Sequence, residues 1–539
     1  MGSYLNPGSG QLRRGLSSPI YVDKSMLISK TNAAFGTQQC FICLSRPRRF
    51  GKSMAAEMLA AYYGRGEDAS PLFDALKISK DPSYREHLNQ YDVIKINMQE
   101  FLSFSGHGVE AMLALLQEEV LVELKAAYPE VDLTSVTILA LALRRIYAFT
   151  GRPFVIIIDE WDCVFREHRD DAASQNKYLD FLRAWLKDQA YVGLVYMTGI
   201  LPIKKYGTHS ALNMFDEYSM VSPGEFAEFF GFTQSEVKAL CAQYNMSFDD
   251  ARLWYDGYTM TQPNADGFET LSMYNPNSVV RAMLRKQFDT YWNNTETYEA
   301  LRIYIAMGFG GKMKEAIIRM LSGEPVPVDP NGFANDMTSF NTLDDVFILL
   351  VHLGYLTYAP TDNLFSMPGV VSIPNKEVST EYITALKRTD DWHEVIHAVE
   401  SSRKLLQSLI NMDEAAVAAG IDRAHEGVSI LQYNDENALS YTINLAFYFA
   451  MEYYTIIREL PSGKGYADVA YIPRKRYADK PAVVVELKYD ANAEGAIAQI
   501  KAKNYPAALS EYHGNLLLCG INYDKETKAH QCRIERMEV

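Results

Sequence analysis

Short apolar runs rich in β-branched residues alternate with longer stretches of helical spacing across the first 220 residues. Residues 40–44 form one such run and end in a turn, and 54–63 are rich in Ala, Met and Leu at helical spacing. Residues 91–97 predict a second strand, and 109–128 and 135–149 predict two helices. Phe154-Val155-Ile156-Ile157-Ile158 is continuously apolar, the pattern of a parallel strand covered on both faces. An amphipathic helix over 176–189 leads to a strand over 192–197. Strands alternating with helices imply a parallel α/β sheet, so residues 1–220 read as one α/β domain.

The pattern then changes twice. Residues 221–415 are helical and irregular, with Trp254–Tyr258 and Tyr274-Asn275-Pro276 as turn-rich punctuation between helices. Residues 346–353 predict a helix that runs into a short hairpin at Gly354-Tyr355-Leu356-Thr357. From about 436 a long apolar helix to about 454 is expected. Strands follow at 467–472 and 482–487, a helix near 493–510 and a strand at 515–519, a second α/β unit within 416–539. The fold class expected is α/β multidomain, and no internal repeat or low-complexity tract interrupts it.

Composition agrees with this division. A chain of 539 residues is too long for one core and suits about three domains. The 48% hydrophobic and 22% charged content is that of a soluble globular protein. A net charge of −15 argues against an all-over electrostatic grip on nucleic acid, though not against a local basic groove. No stretch reaches the roughly 18–20 apolar residues of a membrane span, and no long apolar run follows Arg13-Arg14, so neither a span nor a signal peptide is expected. Six scattered cysteines suit a reducing cytosol, hence a cytoplasmic location. Cys40-Phe41-Ile42-Cys43 has no second pair to complete a zinc site and reads as a strand.

That strand enters Ser45-Arg46-Pro47-Arg48-Arg49-Phe50-Gly51-Lys52-Ser53, which ends as a P-loop does. There Lys52 would reach the β/γ-phosphates of ATP and Ser53 the Mg²⁺, with the Gly51 backbone and the helix N-terminus cradling phosphate. Arg46 stands where the pattern has its first Gly, and Pro47 biases it to extended geometry. Arg48 and Arg49 either clamp phosphate or form salt bridges. Asp159-Glu160, ending the 154–158 strand, supply a Mg²⁺ ligand and a residue to orient or deprotonate water. Thr198, ending the 192–197 strand, is a γ-phosphate sensor or a simple strand-end hydroxyl.

A second chemistry lies near the C-terminus. Alternation puts Glu486 and Lys488 on one face of a strand, and Asp468 joins them if its strand pairs there. Two carboxylates suit Mg²⁺ or Mn²⁺ against a scissile phosphate, with Lys488 positioning or activating water. Glu436 could complete the metal shell, and Gln499 and Tyr505 could approach from the following helix. Lys464, Arg474, Lys475, Arg476, Lys501 and Lys503 make this end locally basic, which could offset repulsion of a phosphate backbone, although a solvated loop explains Arg474–Arg476 equally well.

Together with Tyr21-Val22-Asp23-Lys24, Thr198-Gly199-Ile200 and Pro374-Asn375-Lys376-Glu377-Val378, these segments resemble the bacterial AAA-ATPase-like proteins that carry a C-terminal PD-(D/E)XK nuclease-like domain. The arginine-rich loop is itself part of that resemblance. It implies an N-terminal P-loop ATPase domain, a helical, winged-helix-like middle region and a restriction-endonuclease-like domain whose pattern falls on Asp468, Glu486 and Lys488. Gln499 and Tyr505 match its auxiliary helix motif. The function expected is an ATP-binding and hydrolysing protein that cleaves nucleic acid, DNA ahead of RNA, in a metal-dependent reaction under nucleotide control, with homo-oligomers allowed. The alternative is a nucleotide-switched regulatory or nucleic-acid-binding protein with an inactive nuclease fold.

Overall fold

The computed structural model describes residues 2–537 apart from 204–211, 266, 293–295, 334–339, 362–368, 428–435, 463–464, 503–508, 510–511 and 513–514. The chain forms two compact units, Met1–Trp292 with Pro327–Glu377 and Asn293–Val326 with Val378–Val539.

The first unit is built on five parallel strands: β1 (Phe41–Ser45), β2 (Asp92–Asn97), β3 (Phe154–Asp159), β4 (Val192–Gly199) and β5 (Asp216–Tyr218). Their order is β2-β3-β4-β1-β5, so β4 lies between β1 and β3. Every residue of β3 is buried, as its unbroken apolar run requires. Helix Lys52–Tyr63, rich in Ala and Met, packs across β2, β3 and β4 and is buried almost all round. Because the strands are parallel, the loops after β1, β3 and β4 open at one edge, where the strand order reverses.

Beyond β5, Asp256-Gly257 and Asn275 bound helices as expected, but the stretch between them is an unforeseen antiparallel hairpin, Tyr258–Asn264 with Gly267–Tyr274. Its outer half is exposed and, Phe268 apart, largely polar, so no apolar alternation marks it. The expected helix-to-hairpin passage is present: Leu343–Leu353 starts with a Thr342/Asp345 capping box and ends at Gly354, φ 87, before Thr357–Pro360 pairs with Gly369–Ser372.

In the second unit, strands Tyr454–Ser462, Gly465–Pro473, Ala482–Tyr489, Leu516–Asp524 and Ala529–Arg536 lie side by side in chain order. All pairs are antiparallel except Ala482–Tyr489 with Leu516–Asp524, which helix Ala493–Ala502 connects. One expectation is corrected here. The helix from Glu436 ends at Ala446, and Tyr454 opens a strand, because an unbroken apolar run does not tell a buried helix from a buried strand. Ala529–Arg536, unforeseen, is a largely polar edge strand.

Candidate functional site

In the first unit, Gly51 has φ 96 and caps helix Lys52–Tyr63 without any side-chain cap. Nothing lies within 4 Å of where a Cβ on Gly51 would stand. The loop thus offers unfilled N–H groups facing free space, which fits a phosphate. Lys52, only 5% exposed, donates to the Pro47 carbonyl at 3.0 Å within the loop. Burial pulls its ammonium below its ordinary value, while Glu160, Asp159 and Asp162 act in the opposite sense. Ser53 is exposed on the first turn.

Register places Asp159 beside Thr198 and Leu44 on the other side of Thr198. Asp159 and Thr198 are both buried, and Thr198 Oγ1 has no hydrogen-bond partner among the described residues. Asp159 Oδ1 accepts the N–H of Glu160, which stands at φ 53. Burial raises the Glu160 carboxyl above its usual range, against the pull of Arg166 and Lys52. Asp159, Thr198 and the loop are therefore brought to one sheet edge, and their donor set fits a nucleotide with its divalent cation.

The arginines divide differently from the expectation. Arg46 is fully buried, donating from Nη1 to the carbonyls of Ser45 (2.9 Å) and Tyr218 (2.8 Å), with its guanidinium over the Phe230 ring. Burial lowers its pKa to about 10. It serves the loop's fold from inside the domain. Arg49, at φ 69, donates to the carbonyls of Tyr291 and Trp292, both at 2.8 Å. Arg48 is exposed.

Two groups were not foreseen. Asp162, wholly buried, accepts the N–H groups of Ile200 (3.1 Å) and Leu201 (2.9 Å), tying the β3 loop to the end of β4. Arg166 bridges Asp162 and Glu160. Gly199 permits this closeness, since a Cβ there would stand 2.6 Å from Asp162. A cavity of about 250 Å³ adjoins the loop, lined by Gly51 and Met54 with Tyr21, Lys24, Phe232 and Val280.

In the second unit, the antiparallel register continued one step beyond Val469–Val485 sets Asp468 across from Glu486. Asp468 Oδ2 accepts the Leu487 N–H at 2.6 Å. Glu486 is 2% exposed, and its Oε1 receives both Lys488 Nζ at 3.4 Å and the amide of Gln499. Gln499 reaches it because helix Ala493–Ala502 lies tight on the sheet: a Cβ on Gly520, beside Glu486, would stand 2.4 Å from the Ala493 carbonyl oxygen. Buried Asn522 fixes the preceding loop through the backbone of Ala491. The structure thus brings Asp468, Glu486, Lys488 and Gln499 together. Glu436 opens its helix, but its side chain lies outside the described residues, as do Tyr505, Lys464 and Lys503. Lys501 pairs with Glu535, and Arg474 donates to the Tyr454 carbonyl. Among the described residues, no group of three or more His, Cys, Asp or Glu is placed to hold a metal.

A P-loop sheet and a mixed sheet with an Asp/Glu-x-Lys cluster define the two classes of domain present. Residues 14–208 match the family described as Predicted AAA-ATPase, AAA-ATPase-like, and residues 436–532 match the PD-(D/E)XK nuclease superfamily. The chain joins an AAA-ATPase-like region to a PD-(D/E)XK nuclease superfamily domain. It is 26% identical over 269 residues to the "Uncharacterized protein in vnfD 5'region" of Azotobacter chroococcum mcd 1, and the match spans 47% of each protein. Among solved structures it is similar to Aeropyrum pernix ORC1 in complex with DNA (11% identity, 69% of this chain, 94% of that one, TM-score 0.25). It is also similar to Aeropyrum pernix ORC2 (10%, 67%, 90%, TM-score 0.24). At these TM-scores the likeness carries nothing further about this chain. No helix among the described residues is long and apolar enough to cross a membrane.

Proposed function

We propose that the chain is a nucleotide-controlled, divalent-metal-dependent nuclease. The observation that carries this reading is the convergence of Gln499 and Lys488 on buried Glu486, with Asp468 facing it from the next strand. Asp468 and Glu486 would hold Mg²⁺ or Mn²⁺, which supplies charge stabilisation at a scissile phosphodiester. Gln499 orients the Glu486 carboxylate, and Lys488 holds or deprotonates the attacking water. In the first unit Gly51, Lys52, Ser53 and Asp159 would take Mg²⁺-ATP, the adjoining cavity would take its base, and Glu160 would orient the hydrolytic water, with Thr198 at the γ-phosphate end. Arg48 is left as an exposed candidate for phosphate contact.

Purified full-length protein incubated with DNA or RNA, Mg²⁺ or Mn²⁺, and with or without ATP tests this. Cleavage should fall by at least about a hundredfold in Asp468→Ala and Lys488→Ala, as for loss of a metal ligand or a general base. Lys52→Ala should remove the response to ATP. No cleavage under any condition, or cleavage indifferent to Lys488→Ala, would overturn the reading. The second reading, a nucleotide-switched binding protein that does not cut, is favoured by the net charge of −15 and by Arg46 in place of the first glycine of the phosphate loop. ATP binding lost in Lys52→Ala, with no metal bound at Asp468 and Glu486, would support it.

A further inference from the structure

Helix His393–Ile410 carries His397, Ser401, Lys404 and Ser408 at spacings of four, three and four residues, which aligns them on one face. That face borders helix Glu414–Gly427, where packed helices ordinarily meet through apolar residues. Here the facing positions are small, Ala416, Gly420 and Ala424, and a cavity of about 340 Å³ remains between the helices. A Cβ on Gly420 would stand 2.3 Å from Leu405 Cδ1, so enlarging it requires that side chain to shift. Arg423 lines the cavity from the second helix, so cations approach it from both sides.

Among the described residues, no carboxylate lines this cavity. Of the acidic residues of the two helices, Glu400 pairs with Lys387, Glu414 with Arg533 and the Ile534 N–H, and Asp422 with His530, while Glu394 and Glu426 are not among the residues that line the cavity. Lys404 and Arg423 have no ion pair among the described residues, in a chain of net charge −15. A guanidinium fork, an ammonium and hydroxyls around an acid-free cavity match the donor set that a phosphate ester accepts.

We propose that this cavity binds the phosphate of a nucleotide or of a nucleic-acid strand, as a site separate from the P-loop and from Glu486. The proposal rests on the two helices alone and stands whether or not the chain cuts. The test uses the full chain carrying Lys52→Ala, to remove phosphate binding at the P-loop, in Ca²⁺ to suppress cleavage. Fluorescence titrations with a labelled single-stranded oligonucleotide and with labelled AMP compare this parent with Lys404→Glu/Arg423→Glu and with the milder Lys404→Gln/Arg423→Gln. Both positions are exposed, so thermal melting should stay unchanged. Affinity should fall by at least about tenfold. For the oligonucleotide, the slope of log K against log salt should flatten by about 0.7 for each phosphate that the variant no longer neutralises. An effect on the oligonucleotide assigns a strand backbone, and an effect on AMP alone assigns a free nucleotide. A parent that binds neither probe, or affinities within twofold in both variants, would overturn the proposal.

Discussion

Arg46 takes the place of a glycine in the phosphate loop, yet its side chain runs into the domain. Two of its guanidinium nitrogens, Nε and Nη2, have no hydrogen-bond partner among the described residues, and burial holds its pKa at about 10. A buried cation of this kind costs stability unless its packing and remaining bonds compensate, so an apolar residue of similar length can replace it. Arg46→Met should therefore keep nucleotide affinity within about threefold, whereas Arg46→Ala should lower stability by roughly 2–4 kcal/mol through the cavity it leaves. Titration with a fluorescent ATP analogue and thermal melting check both. Loss of nucleotide binding in a well-folded Arg46→Met would show that the guanidinium serves the nucleotide after all. At this scale the sequence was informative where chemistry is local: Gly51, Lys52 and Ser53 fall in one motif, and Asp159 and Glu160 end one strand. Asp162 and Glu377 were not legible, because their partners lie on other elements and only folding supplies them, and Arg166, although its partners Glu160 and Asp162 are close in the sequence, falls in no motif.

Helix Leu343–Leu353 shows what patterning reveals of an element and what it conceals. Its capping box and its terminal glycine are plain in the sequence, but the state of His352 depends on burial among distant residues. His352 is 2% exposed, lies flat against Phe333 at 5.9 Å and has Nδ1 without a partner among the described residues. Burial lowers its pKa from 6.5 to about 3. A depressed folded-state value means that the neutral ring contributes stability above pH 6.5, and that this contribution is lost as pH falls toward about 3. Its share of the loss is at most about 1.4 kcal/mol per pH unit. His352→Leu should flatten the acid limb of a melting-temperature profile relative to wild type. His425 in the other unit, held at about 4, contributes equally to both proteins and cancels in the comparison. Parallel acid limbs would show that His352 is not the group responsible. Strands were harder to read than helices for a related reason. The hairpin Tyr258–Asn264 and Gly267–Tyr274 and the edge strand Ala529–Arg536 carry Thr, Gln, Glu and Arg on half-solvated faces, so neither shows the apolar run that betrays β3.

At the scale of the molecule, segments far apart in the sequence gather behind the phosphate loop. Tyr258 stacks on Trp292, meets Phe50 edge-on and donates to the Gly354 carbonyl at 3.0 Å. Gly257, at φ 101, lies so close to Pro374 that a Cβ would stand 2.0 Å from its carbonyl oxygen, and Asn375 donates to the Asp256 carbonyl. The Tyr291-Trp292 turn is clamped from both sides. Buried Glu377 accepts its two N–H groups, at 2.5 and 2.8 Å, and the Ser278 hydroxyl at 3.0 Å, while Arg49 of the phosphate loop donates to its two carbonyls. Glu377 therefore bears on the loop through one intervening turn. Glu377→Gln replaces a charged acceptor of buried N–H groups by a neutral one, which weakens those bonds by roughly 1–2 kcal/mol and loosens the turn that holds Arg49. Nucleotide affinity should fall about three- to tenfold, although Glu377 lies outside the phosphate loop, and the rise in melting temperature on adding nucleotide should shrink with it. Arg49→Ala should have a similar effect, and the double variant should be little worse than either alone, because both changes release the same turn. Strictly additive losses, or an unchanged nucleotide affinity in Glu377→Gln, would sever this connection and leave the clamp as scaffolding alone.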